Sequence, residues 1–357
     1  MSANGLSSDQ IIEVRKMLAK QIKNARSNSR HKKCMLCDHV GGFCNSHTIP
    51  QFCLENIAWN GKLNSFDTLI ASAFLSQDSG INNAGTFHII CRPCDNKFFQ
   101  DYEKTEAYEG IPTEIALNQI ALKTVLRDIY KHETEIEMFE VSKKMMKEKS
   151  PFLSFFANIM LDAQINARST DIQECYEIFN RATAFLNTHE SWLRIVSYDK
   201  LDFTVPIAFQ GMVALITGVN GEVINNIYEH NGDYKMEYLH IAVFPLRQST
   251  AVVLFLDTNC SRYAQFEKYL AETSQEDRLE IINRIIFLYT EDYYLSKQLD
   301  EDIIKSLQEP AKTIHDVATF NPQKSIKKAV NEFDLRRYND IPNLFAKEYS
   351  ISFEQEV

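Results

Sequence analysis

The sequence predicts an α+β protein with a cysteine-rich unit near its N-terminus, a helical middle and a C-terminal antiparallel sheet with helices. Two Cys-x-x-Cys pairs, Cys34/Cys37 and Cys91/Cys94, bracket the first unit. Apolar residues recur at helical spacing over 112–148. Beyond Trp192, stretches rich in Val, Ile, Phe and Tyr alternate with turn signals, which is typical of antiparallel strands.

The composition is that of a globular protein. The chain has 357 residues, 45% of them hydrophobic and 24% charged, a size typical of two or three domains. Its net charge of -10 argues against a protein that coats nucleic acid indiscriminately, although a local basic site remains compatible with it. The N-terminus does not read as a signal peptide and no 18-residue apolar run occurs, so we expect a cytoplasmic protein without a membrane span.

The first segment, residues 1–33, is predicted to be a basic helix over about 8–30. It carries eight Lys or Arg against Asp9 and Glu13, which gives about +6 in an acidic chain. Two interpretations stay open for this charge. It forms either a solvated helix face or an arm that contacts phosphate beside the cysteine-rich unit.

The cysteine-rich unit, predicted at 34–105, has the spacing of a structural zinc site. Each Cys-x-x-Cys turn offers two thiolates, and in a reducing compartment such pairs bind metal more often than they form disulfides. Cys34, Cys37, Cys91 and Cys94 would therefore hold Zn²⁺; the alternative is two unrelated buried pairs. Cys44 and Cys53 have no Cys-x-x-Cys partner, so we expect them in the core or as weaker rival ligands.

The rest of the chain is divided into a helical segment at 106–190 and an α+β domain at 191–357. In the former we predict a helix over 112–148 and one or two more over 152–187. The latter is predicted to contain about five strands and then a helix over 262–299. The predicted strands are 192–198, 203–217, 222–228, 236–245 and 249–257.

A short motif lies between the two cysteine pairs. It reads Ser46-His47-Thr48-Ile49-Pro50, and the second pair is followed at once by Asp95-Asn96-Lys97. This order resembles the HNH nuclease family (His-Me finger, ββα-metal), in particular a bacterial subset with a Ser-His-x-Ile-Pro motif. The resemblance covers 34–103. It implies a zinc-stabilised, treble-clef-like ββα-metal unit.

The resemblance also implies roles for individual residues. His47 takes the place of the family's general base, and Asp95 that of a ligand to a catalytic divalent metal, Mg²⁺ or Mn²⁺. Arg92 and Lys97 are in the right neighbourhood to bind nucleic acid. Ser46 departs from the family pattern, because a neutral hydroxyl stands where a strong ligand is expected.

Several readings of these positions stay open. The orienting asparagine of the family is replaced by Thr86, so His88 or a nearby asparagine would have to serve. His47 could instead be a structural histidine, and Asp95 could be a helix N-cap. Glu103 is expected to approach the same region if the segment after Asp95 is helical.

The functional prediction is therefore a metal-dependent HNH-type endonuclease that cuts DNA rather than RNA, with a role in bacterial antiphage defence implied by the resemblance. The alternative is a non-catalytic zinc module that binds nucleic acid or protein. A third possibility places the function in a protein partner bound by the C-terminal domain, with the zinc unit purely structural.

Overall fold

The computed structural model of the protein describes most of the chain, at residues 16, 20–29, 31–65, 78–149, 151–229, 234–290, 292–307 and 326–352. The predicted α+β class is confirmed. The main elements are β1 Ser46–His47, α1 Gln51–Ile57, β2 Lys62–Ser65, β3 Asp78–Gly80, β4 Thr86–Phe87, α2 Arg92–Phe98, α3 Glu114–Lys149, α4 Pro151–Thr188, β5 Leu193–Leu201, β6 Ile207–Val213, β7 Leu239–Pro245, β8 Thr250–Asp257, α5 Ala264–Glu272, α6 Gln275–Tyr289 and β9 Tyr293–Ser296.

The basic N-terminal segment is helical at 20–28 and packs on α3. The remainder of the predicted helix lies mostly outside the described residues. Ala25 and Met138 bury each other in a small apolar cluster. Beside them, His31 Nε2 lies 2.6 Å from Glu133 Oε2. These contacts hold the basic helix against the middle of the protein.

Two long helices, α3 and α4, form an antiparallel hairpin. They have 36 and 38 residues, which at 1.5 Å per residue makes each about 55 Å long. This confirms the predicted helical middle. Pro151 opens α4, where its missing N–H costs nothing because first-turn amides have no partner within the helix. The first half of α3 is buried against the sheet and the cysteine-rich unit.

The seven-stranded sheet is antiparallel throughout, in the order β3-β2-β9-β6-β7-β8-β5. Two of its strands, β2 and β3, come from the segment between the cysteine pairs. The sheet therefore joins residues of the 34–105 and 191–357 segments. The domain boundaries themselves stay a prediction.

Both faces of the sheet are covered, because side chains alternate between two cores. On β7, Ala242 and Phe244 belong to the core shared with α3 and the cysteine-rich unit. Ile241 and Val243 point into the core shared with α5, α6 and the C-terminal residues. This two-sided burial explains the nearly unbroken apolar sequence of β7 and β8.

Two sequence predictions in this half are wrong. Within the described residues, 222–228 contains no strand; Thr217 and Val223 form only an isolated bridge there. The single helix predicted over 262–299 is two helices followed by β9. The break occurs where the Ser274 side chain caps α6 by accepting from the Asp277 N–H at 3.1 Å. No helix in the described part of the chain has the length and apolarity needed to cross a membrane.

Candidate functional site

Four cysteine sulfurs meet where the two Cys-x-x-Cys turns face each other. The Sγ atoms of Cys34, Cys37, Cys91 and Cys94 all lie within 4.8 Å of one another, and those of Cys37 and Cys91 are 3.7 Å apart. A tetrahedral zinc with bonds of ~2.3 Å would place its sulfur ligands about 3.8 Å apart. The cluster therefore fits a structural metal such as zinc.

Backbone hydrogen bonds tie the two turns together. The Met35 N–H donates to the Ile89 carbonyl at 3.0 Å, and the Leu36 and Cys91 N–H groups donate to Cys34 Sγ at 3.4 and 3.3 Å. Such donors stabilise a thiolate. Burial raises the pKa of Cys34, while the backbone N–H of His39 lowers the pKa of the exposed Cys37. In the described residues, Cys44 and Cys53 are not part of the cluster.

The Ser46-His47 motif forms one side of a minimal two-stranded sheet beside the cysteines. Strand β1 pairs antiparallel with β4, so that Ser46 faces Phe87 and His47 faces Thr86. The Thr48 hydroxyl extends the pairing by donating to the Gly85 carbonyl at 2.9 Å. In addition, the hydroxyl of the fully buried Tyr102 donates to the Thr48 carbonyl. Thr48 of the motif is therefore hydrogen-bonded through both its hydroxyl and its carbonyl.

His47 is half-buried and oriented by a backbone group rather than by an asparagine. Its Nε2 lies 3.0 Å from the Ile81 carbonyl oxygen. A carbonyl can only accept, so Nε2 carries the proton and Nδ1 is left as the basic nitrogen. Burial lowers the pKa of His47, and the nearby Lys123 ammonium lowers it further. Both effects favour the neutral form of the imidazole.

Asp95 lies in the first turn of α2 and is fully engaged by its neighbours. Its Oδ1 accepts from the Ser46 hydroxyl at 2.7 Å and from the Lys123 ammonium. Its Oδ2 lies 3.6 Å from Cys44 Sγ, and burial together with this carboxylate raises the pKa of Cys44 to about 12. Ser46 and Asp95, which the resemblance places at one site, are in direct contact, and the ammonium of Lys123 contacts both of them.

Lys123 comes from α3 and is completely buried. Its Nζ donates to Ser46 Oγ at 2.6 Å and lies 3.4 Å from Glu103 Oε1. The same ammonium sits 4.2 Å from the centre of the Phe99 ring, a favourable cation–π distance. We call Ser46, Asp95, Glu103 and Lys123 the lysine cluster.

The lysine cluster does not fit a divalent catalytic metal as it stands. Lys123 contacts Ser46 Oγ and Asp95 Oδ1, which are oxygens of the two residues that the resemblance assigns to the metal. A hard cation needs several oxygen ligands. Among the described residues, only the four cysteines gather three or more metal-binding side chains at one point. We therefore derive no chemistry through a divalent ion at Asp95.

The predicted nucleic-acid contacts lie on the outer face of α2. Arg92 and Lys97 are exposed, and Lys97 Nζ lies 4.8 Å from the ring of Phe98. Lys20, Lys23 and Arg26 of the basic helix are exposed as well. Whether any of them binds nucleic acid stays a prediction.

Sequence reasoning missed two residues that organise this site. Lys123 stands inside the apolar run Ile120–Leu126, and a charge on the apolar face of a helix is a signal that it has a buried partner. Tyr102, next to Glu103, gave no such signal. Its partner is a backbone carbonyl 54 residues away in the sequence.

Comparisons with known proteins add no further information. No protein family, curated protein or solved structure matches this chain.

Proposed function

We propose that the protein is an HNH-type endonuclease that binds zinc at its four cysteines and hydrolyses phosphodiester bonds, in DNA rather than RNA. One observation carries the proposal. His47, whose ring is oriented by the Ile81 carbonyl, lies on a strand that pairs with β4 and follows Ser46, which contacts Asp95 in the first turn of α2. The second cysteine pair of the cluster lies at the start of the same helix α2, as the resemblance implies.

The chemistry assigned to this chain is general base catalysis. His47 Nδ1 would take a proton from a water molecule as the water oxygen attacks phosphorus. The bond from phosphorus to the leaving oxygen then breaks, and that oxygen takes up a proton from solvent. Arg92 and Lys97 are exposed on α2 and are proposed to bind the flanking phosphates.

Cleavage assays with purified, zinc-loaded protein test the proposal. Plasmid DNA and RNA are incubated with the wild type, with His47→Ala and with His39→Ala, whose side chain is exposed in the same unit. We expect cutting by the wild type and by His39→Ala, and a loss of at least a hundredfold, as is usual for general bases, in His47→Ala. Equal cutting by all three, or by none, would refute it.

A second candidate function is a zinc module that binds nucleic acid or protein without cutting. It is favoured by the buried ion pair between Lys123 and Asp95, which occupies a ligand that the family uses for its metal. A tight DNA complex with steep salt dependence and no cleavage would support it. A role in antiphage defence, and a protein partner of the C-terminal domain, are proposals that rest on the resemblance and on analogy.

A further inference from the structure

We propose that the Lys123 ammonium is the permanent cation of the lysine cluster and takes the place of a divalent metal. The inference uses the proposed function only to locate the site. It concerns which cation the site holds, and so it can be tested without any measurement of cleavage.

The first argument is that each donor of the Lys123 ammonium has an oxygen partner. An ammonium has three donors, and three oxygens surround this one: Ser46 Oγ at 2.6 Å, Glu103 Oε1 at 3.4 Å and Asp95 Oδ1. The Phe99 ring closes a further side. The ammonium therefore has a partner for each of its donors, as a permanently buried charge requires.

The second argument is that, among the described residues, the Lys123 ammonium has no other polar environment within reach. Its side chain is completely buried, and its neighbours Leu122 and Thr124 on α3 are buried too. To admit a metal ion, the ammonium would have to leave its two carboxylates for an apolar interior, where a charge is strongly disfavoured. Alternatively, a divalent ion would have to bind within a few ångströms of a positive charge in a region of low dielectric.

The third argument comes from Ser46. A neutral hydroxyl is a weak ligand for Mg²⁺ but a good acceptor for an ammonium, and it can donate to Asp95 at the same time. A serine at position 46 therefore suits a site whose cation is an ammonium, although it departs from the family pattern for a divalent metal. If the protein cuts DNA, it does so without a divalent ion at Asp95.

Manganese binding tests the inference, because Mn²⁺ accepts oxygen ligands and is seen directly by electron paramagnetic resonance. Four proteins with equal zinc content are titrated: the wild type, Asp95→Asn, Lys123→Ala, and the double variant Lys123→Ala/Asp95→Asn. We expect no site in the wild type or in Asp95→Asn. Lys123→Ala should gain one site at least tenfold tighter than any wild-type binding, and the double variant should lose it.

Two outcomes would overturn the inference. One is a stoichiometric Mn²⁺ site in the wild type that Asp95→Asn abolishes. The other is a Lys123→Ala variant with native circular dichroism and full zinc that gains no site, which would make the cluster an ordinary ion pair. Failure of the proposed nuclease activity would leave both readouts unchanged.

A measurement on the wild type covers the case in which Lys123→Ala does not fold. In protein labelled with ¹⁵N-lysine, the buried Lys123 ammonium should give a protected Nζ–H signal, assigned by its absence in Lys123→Arg. We expect this signal to survive equimolar Mn²⁺. Its paramagnetic broadening would place the metal beside Asp95 and refute the inference.

Discussion

Replacing Asp95 by asparagine tests how strongly the lysine cluster stabilises the fold. The change keeps the shape of the side chain and one acceptor oxygen but removes the negative charge. Lys123 would then be a fully buried ammonium whose remaining carboxylate, Glu103, lies 3.4 Å away and is 45% exposed. The Asp95 side chain itself is only 16% exposed, so water can do little to compensate the ammonium once the carboxylate charge is removed.

The expected magnitude follows from this burial. Removing one partner of a buried ion pair costs about 3–5 kcal/mol, because the other charge is left uncompensated. Glu103 and the asparagine oxygen still face the ammonium, so we expect the lower end, about 3 kcal/mol of the free energy of unfolding. The matched control is Glu103→Gln. The Glu103 side chain is 45% exposed and its oxygen lies 3.4 Å from the ammonium, so this change should cost less than Asp95→Asn, about 1 kcal/mol.

Urea unfolding followed by tryptophan fluorescence measures both variants. Trp192 is buried and donates to Asn118 Oδ1 on α3 at 2.8 Å, so it reports on the helix that carries Lys123. The double variant Lys123→Met/Asp95→Asn should recover most of the loss, because the fully buried ammonium is removed together with its main partner. If Asp95→Asn costs no more than Glu103→Gln, the assignment of Asp95 as the main partner of Lys123 is refuted.

Three further changes test other parts of the structure. Cys94→Ser should lose the bound zinc and lower the melting temperature, whereas Cys260→Ser, outside the cluster, should keep one zinc per chain by elemental analysis. Burial lowers the pKa of His240 from 6.5 to about 4. The unfolded chain therefore takes up this proton first, and stability should fall by about 3 kcal/mol as the pH drops through that window. Acid titration of His240→Phe should lack this component; an unchanged acid limb would contradict it. Gly85→Ala should cost about 1–2 kcal/mol, because its φ is +62° and the new Cβ would lie 2.9 Å from a tyrosine hydroxyl. The control Gly80→Ala, with open space around it, should cost less in the same thermal melt.

The local features of this protein are determined by the sequence. Two Cys-x-x-Cys turns predicted a metal cluster, because each turn brings two thiolates together through short-range geometry alone. The long helices of the middle segment followed from apolar spacing over many turns. Strands β5 to β8 followed from dense β-branched and aromatic residues. These signals depend on neighbours within a few residues, so the sequence displays them directly.

Short strands and helix breaks were less predictable. The Tyr293–Ser296 segment reads as the end of a helix, but it is β9, because it finds partners in β6 and β2. The segment 222–228 has the composition of a strand, yet in the described residues it meets no strand partner beyond one bridge. Pairing across the sheet decides such cases, and it brings together residues far apart in the sequence.

For the site, the sequence alone predicted the cluster of four cysteines, because two Cys-x-x-Cys turns have the spacing of a metal site. The roles of His47 and Asp95 stay predictions. Only the tertiary structure showed that a lysine contacts both Ser46 and Asp95. Lys123 arrives from a helix that packs over the cysteine-rich unit, 28 residues beyond Asp95 in the chain. The lysine stands out on an apolar helix face in the sequence, but its partners are set by helix packing and cannot be found from local spacing.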